Sequence, residues 1–100
     1  MGREHYASGS WMVKEGREEE FIGRWRDWLE KSTRDLAGFG SAKLIRDAGD
    51  ARHFLSFSDW ENSSARDSWK ASPEFAEGLR ACRELCDDFV GGDYSQVVGV

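Results

Sequence analysis

The apolar positions along this chain switch between a period of about two and a period of about 3.6, and those switches mark out its elements. Residues 4–13 (EHYASGSWMV) alternate loosely and read as a first strand. Tyr6, Ser8, Ser10 and Met12 share one side of it; His5, Ala7, Gly9, Trp11 and Val13 share the other. After a Lys-Glu-Gly turn come Glu18, Glu19 and Glu20, acids where the positive end of a helix favours them. Phe21, Trp25, Trp28, Leu29 and Leu36 then recur at helical spacing, opposite Arg24, Arg26, Asp27, Glu30 and Lys31. That pattern predicts an amphipathic helix stopped by Gly38. Residues 40–46 (GSAKLIR) read as a second strand, and the DAGD turn at 47–50 leads into a third at 52–59, making a hairpin.

In the third strand His53, Leu55 and Phe57 fall on one face, and Phe54, Ser56, Ser58 and Trp60 on the other. The first face suits packing under a helix; the second, aromatics mixed with hydroxyls, suits a half-wet cavity. Asn62 is placed to cap a short helix ending near Trp69. Ser72-Pro73-Glu74 starts another: a capping hydroxyl, the chain's one proline in the first turn, and an acid beside it. Phe75, Leu79, Cys82, Cys86 and Phe89 form its apolar stripe, Gly91-Gly92 ends it, and DYSQVVGV reads as a last strand. The order is β-α-β-β-α-β with the second helix split in two. This is an α+β, ferredoxin-like plan: an antiparallel sheet with its helices on one face. Such a plan leaves the other sheet face bare. An exposed apolar patch of that size predicts a second copy packed sheet against sheet, a homodimer with a cavity between the sheets.

One hundred residues make one domain, 1–100. Thirteen aromatics, five of them Trp, are many for so small a core, so some should face a cavity or a partner. A net charge of −5 argues against nucleic acid or an anionic membrane surface as partner. No apolar stretch is long enough to span a bilayer, and MGREHYASGS is too polar for a signal peptide, so the expected location is cytoplasmic. Cys82 and Cys86, four apart, would need His5 or His53 to complete a metal site; they read instead as reduced thiols packed as small hydrophobes, with no metal expected.

The strand-to-helix entry MVKEGREEEF (12–21), the LAGFGSAKLIRD segment (36–47) and the run from FLSFSDWENSSA to SWKASPEF (54–75) resemble the antibiotic biosynthesis monooxygenase family of dimeric α/β-barrel domains. The resemblance covers nearly the whole chain and implies two functional patterns. In cofactor-free quinone-forming monooxygenases, a Trp at the end of the third strand works with an Asn four residues earlier and a Tyr six residues later. Trp60 stands in that Trp place, Ser56 in the Asn place and Arg66 in the Tyr place. In the haem-degrading branch, a Trp precedes a haem-ligand His by nine positions and an Asn sits on the first strand. Trp69 fits that Trp, but the ligand place holds Gly78 and the Asn place falls near Gly9. Haem binding would then need His5 or His53 as a substitute.

A cofactor-free oxygenase must hold a flat apolar ring and place donors where an oxyanion forms. Trp60 offers a ring face and an indole N–H, Arg66 a permanent charge, and Ser56 hydrogen bonds; these three are the candidate catalytic residues. Trp69, Phe54, Ser58 and Tyr6 are the candidate pocket for a small aromatic substrate. No cofactor is implied. Strand parity points His53 away from Trp60, leaving His5 or Tyr6 as candidate bases. Each assignment has a plainer alternative: Trp60 as a packing plug, Trp69 as a helix residue over the barrel mouth, Arg66 as a solvated side chain, Trp11, Trp25 and Trp28 as core or dimer interface. A non-catalytic dimer that binds a small ligand, or serves as a scaffold, is the corresponding alternative function.

Overall fold

A computed structural model describes residues 4–100. The elements run β1 (His5–Val13), α1 (Glu18–Ser32), β2 (Phe39–Arg46), β3 (His53–Trp60), α2 (Ser63–Lys70), α3 (Pro73–Arg83) and β4 (Cys86–Ser95). The strands form one antiparallel sheet in the order β2-β3-β1-β4. This is the expected α+β, ferredoxin-like architecture. No helix among the described residues is long and apolar enough to cross a membrane.

Strand alternation divides the sheet cleanly. Ala7, Gly9, Trp11 and Val13 of β1 and Phe54, Ser56, Ser58 and Trp60 of β3 are buried beneath Phe21, Trp28 and Leu29 of α1, Trp69 of α2 and Cys82 of α3. Arg24 binds α1 to α3, donating to the Ala81 carbonyl at 2.7 Å and to Glu84 at 3.0 Å. The helix-covered face of β3 is therefore the one with the hydroxyls, and His53, Leu55 and Phe57 lie on the open side. The reverse was expected. Period-two alternation separates two faces but does not say which is covered, and both carry large apolar groups.

Several boundaries also differ from the sequence reading. Helix α1 stops at Ser32, where the Thr33 N–H bonds the Leu29 carbonyl, and Asp35 (φ 61°) and Gly38 (φ 87°) then turn the chain left-handed into β2. Helix α3 ends at Arg83, so Cys86 and Phe89 belong to β4, opposite Val13 and Trp11. Gly91 and Gly92 lie inside that strand, opposite Gly9 and Ser8, and the strand ends at Ser95. The apolar spacing 75-79-82-86-89 continues helically across the break, which is why it reads as one helix.

The open face carries cross-strand rows. Ile45, Leu55, Ser10 and Val90 form one, and Asp59, Tyr6 and Tyr94 another. Ile45, Leu55, Val90 and Tyr94 are 46, 40, 62 and 60% exposed.

Candidate functional site

Between the sheet and the helices lies a hollow of about 150 Å³, walled by Trp11, Trp25, Trp28, Trp69, Phe75 and Phe89. Engineered apolar cavities of about that size take up a benzene ring. Ser56 and Ser58 contribute to its sheet side, and Lys70, Gly91 and Gly92 to its border. Glycine makes room for two of the walls. A Cβ at Gly9 would meet Trp11 Nε1 at 2.8 Å and the Phe89 ring at 2.9 Å, so the bare backbone lets the Trp11 indole lie across β1. A Cβ at Gly78 would fall 2.0 Å from Trp28 Cδ1, so α3 approaches α1 only because that residue has no side chain.

Serines hold the indoles in place. Trp11 donates from Nε1 to Ser56 Oγ at 3.0 Å, Trp60 to Ser58 Oγ at 2.8 Å, and Trp69 to Ser32 Oγ at 2.9 Å. A hydroxyl has two lone pairs and one hydrogen. Each indole occupies one lone pair and leaves the serine hydrogen available to another acceptor. The rings themselves form a chain: Trp60 lies 5.1 Å from Trp69, which stacks on Trp28 at 6.0 Å and 21°, which in turn meets Trp11 edge-on at 6.0 Å and 81°.

The predicted site residues divide around this arrangement. Ser56, Ser58 and Trp69 border the hollow. Trp60 is fully buried against Phe39 and Trp69, with its N–H already bonded to Ser58, so it sits behind that hydroxyl. Arg66 lies outside, its side chain 12% exposed; it donates to the Tyr6 carbonyl at 3.5 Å and to Asp67 at 3.2 Å, and stands 3.8 Å from Asp93. Phe54 packs on Phe21 at 5.2 Å beneath the Arg46 guanidinium, away from the hollow. Tyr6 projects from the open face, where it donates to Gln96 at 3.0 Å. Because the hydroxyl face of β3 lies under the helices, this hollow is walled by the sheet and helices of one chain, and a separate depression lined by Tyr6, Ser10, Leu55, Phe57, Val90 and Tyr94 lies on the open face.

Sequence reasoning assigned Trp11, Trp25 and Trp28 to core or interface, and it missed Lys70. Of the groups that border the hollow, Lys70 alone is charged, and its ammonium is held by Asp93 at 2.6 Å. A lysine directly after a buried Trp near a helix end was the available signal. Neither candidate base borders the hollow: Tyr6 faces the other way and His5 lies at the start of β1. Burial pushes the Cys82 thiol up to about 12 and the Cys86 thiol up to about 11, so both stay protonated near neutrality. No group of three or more His, Cys, Asp or Glu side chains among the described residues is placed to hold a metal ion.

Ser10 Oγ, His53 Nε2, His53 Nδ1 and Asp47 Oδ2 form a second polar chain on the open face, with 2.9 Å at each of its two contacts. The order is that of a nucleophilic triad. Ser10, however, sits on a central strand flanked by β3 and β4, so the nearby amides lie in sheet ladders rather than in a cradle for an oxyanion. The network closes the β2–β3 hairpin. The places of the haem-branch Asn and His, Gly9 and Gly78, are filled by the indoles of Trp11 and Trp28.

A profile of the family described as antibiotic biosynthesis monooxygenase matches residues 5–81. No curated protein matches. Among solved structures, the chain is similar to SnoaB, a cofactor-independent oxygenase from Streptomyces nogalater, with TM-score 0.86 and 19% identity over 99% of this chain and 98% of that one. A Shewanella oneidensis protein gives 0.82 and 21% over 98% and 96%, and a Pseudomonas aeruginosa protein 0.76 and 17% over 98% of each.

Proposed function

The chain belongs to the antibiotic biosynthesis monooxygenase family, and on that premise we propose that it is a cofactor-independent monooxygenase, oxidising a small phenolic or fused-ring aromatic metabolite with dioxygen. The observation that supports this reading is the ring-sized hollow with two indole-anchored hydroxyls on its sheet side.

The substrate is its own reductant. An anthrone-type ring loses a proton from its activated carbon, and the anion passes an electron to dioxygen. The radical pair combines to a peroxide, which collapses to the quinone. One oxygen atom becomes the new carbonyl and the other leaves as water; the CH₂ carbon supplies the four electrons. The aromatic walls hold the ring and exclude water from the intermediates. Ser56 and Ser58 donate to the ring oxygen as it gains negative charge, each held in aim by the indole behind it. Trp60 is thus a positioning residue acting through Ser58. Lys70, at the border of the hollow, favours the anion, and the proton leaves to water at that border. Arg66 adds a second positive charge beside Asp93.

Ser56 and Arg66 in the Asn and Tyr places favour the second reading, a non-catalytic domain binding a small aromatic ligand. Haem is not favoured, because indoles occupy the positions its ligands would need. The exposed Ile45, Leu55, Val90 and Tyr94 favour a second copy packed over the open face, and sedimentation at micromolar concentration should show a dimer. Monomer alone would exclude that assembly.

The hollow holds one ring of the substrate, the others reaching out past Lys70, Gly91 and Gly92 at its border, and oxygen uptake with dihydroxynaphthalene and with 1,8-dihydroxyanthrone decides between enzyme and binder. Wild-type protein should accelerate uptake with quinone as product, and Ser56→Ala combined with Ser58→Ala should lower kcat roughly 100-fold, the effect of removing oxyanion donors. A wild-type rate equal to the rate without protein would overturn the enzyme reading.

A further inference from the structure

Four of the chain's five indoles are tied to one another and the fifth is not. Trp60, Trp69, Trp28 and Trp11 form the ring chain at the centre of the molecule, and three of them donate to serines. Trp25 is partly buried, and among the described residues it joins no such ring contact and makes no hydrogen bond. It nevertheless borders two voids. One is the ring-sized hollow. The other is a groove of about 360 Å³ between α1 and β2, lined by Ile22, Leu44 and Phe54 with Glu19, Arg26 and Arg46 beside them. Strand register fixes where the two meet. Leu44 of β2 pairs with Ser56 of β3; Leu44 lines the groove and Ser56 the hollow. The voids therefore come together over that pair, and Trp25, common to both, stands between them. Gly91, Gly92 and Lys70, which is held to Asp93, border the hollow at its other end, because β4 and β2 are the opposite edges of the sheet.

We propose that Trp25 is the end wall that sets how much of a ligand the hollow takes in. With the indole in place one ring is enclosed; without it, hollow and groove run together into a site for two fused rings. The inference rests on the reading of the hollow as a ring-binding site. Cutting away a wall that has no ring partner and no hydrogen bond leaves the other walls anchored, so the site lengthens rather than collapses. Ile22, Leu44 and Phe54 give the added space an apolar lining, where a second ring gains by leaving water. Trp25 is then a specificity-determining residue, where its sequence position alone suggests only core.

The test uses two ligands that differ by one ring, phenol and 1-naphthol, titrated calorimetrically into the intact protein without oxygen. Trp25→Ala should raise the ratio of 1-naphthol to phenol affinity at least tenfold above the wild-type ratio. Adding Leu44→Lys, which sets a charge where the second ring would lie, should return the ratio to the wild-type value. An unchanged ratio in Trp25→Ala, with phenol still bound, overturns the role of Trp25 and leaves the ring site standing. So does loss of both ligands by folded Trp25→Ala, or a ratio that stays raised in the double variant. Binding of neither ligand to wild type overturns both. Should Trp25→Ala fail to fold, Trp25→Leu carries the test, with the ratio expected to rise about threefold. A ratio no higher than that of wild type then overturns the proposal.

Discussion

Ser58 holds the Trp60 indole in place. Its oxygen accepts the Trp60 N–H at 2.8 Å, and both residues are buried. Removing the hydroxyl strands a buried donor, so Ser58→Ala should destabilise the fold by about 1–3 kcal/mol in chemical denaturation. In a Trp60→Phe background the same change should cost less, because no N–H is left unsatisfied. Equal costs in both backgrounds would mean that the bond contributes nothing. At this scale much was legible: Ser56, Ser58, Trp60 and Trp69 could be selected from alternation and resemblance alone. The direction of the Trp60 N–H could not, because a sequence does not say which of several nearby acceptors an indole meets. Phe54 shares the same parity as Ser56 and Ser58 yet lies at the far end of the strand, and parity carries no information about position along the hollow.

At the level of elements, the cap signals were the most reliable guides. Asn62 accepts from the Ala65 N–H at 2.8 Å and Ser72 from the Phe75 N–H at 3.2 Å, as their spacing predicts. Ser72 also donates to the Trp69 carbonyl at 2.7 Å, joining the end of α2 to the start of α3. Ser72→Ala should therefore lower stability by about 0.5–2 kcal/mol, read as a fall in Tm, and should loosen Phe75 at the border of the hollow. No change in Tm would show the cap to be idle. Strand β4 was the element least visible in the sequence. Its pairing with β1 is a long-range event, and the local pattern from Phe75 to Phe89 favours helix until that pairing overrides it. The diglycine that looks like a helix stop works instead as bare strand beside the opening.

Across the whole molecule, exposed charge networks set the response to acid. The hydrogen bond from His53, with a second from the Gly49 N–H, holds Asp47 below the usual carboxylate range. Arg17 does the same to Glu20, with Arg24 adding to it. A carboxyl depressed in the folded state binds protons less readily there than in the unfolded chain. Its stabilisation is therefore complete above the unfolded carboxylate range and is lost as pH falls through the lower folded value. Denaturation between pH 7 and 3 should show stability falling with acidity, and Asp47→Asn should flatten that slope. An unaltered slope would assign the acid response to other groups. The topology and the bare sheet face followed from element order, but which side held the hollow depended on which face the helices chose.

That one chain supplies every wall of the hollow has a consequence for dilution. A pocket built at a seam between protomers empties when they part, and turnover per protomer then falls steeply at nanomolar protein. Here walls, hydroxyls and cation all belong to one chain, so ligand binding in the hollow should not change with protein concentration, whether or not two copies pair.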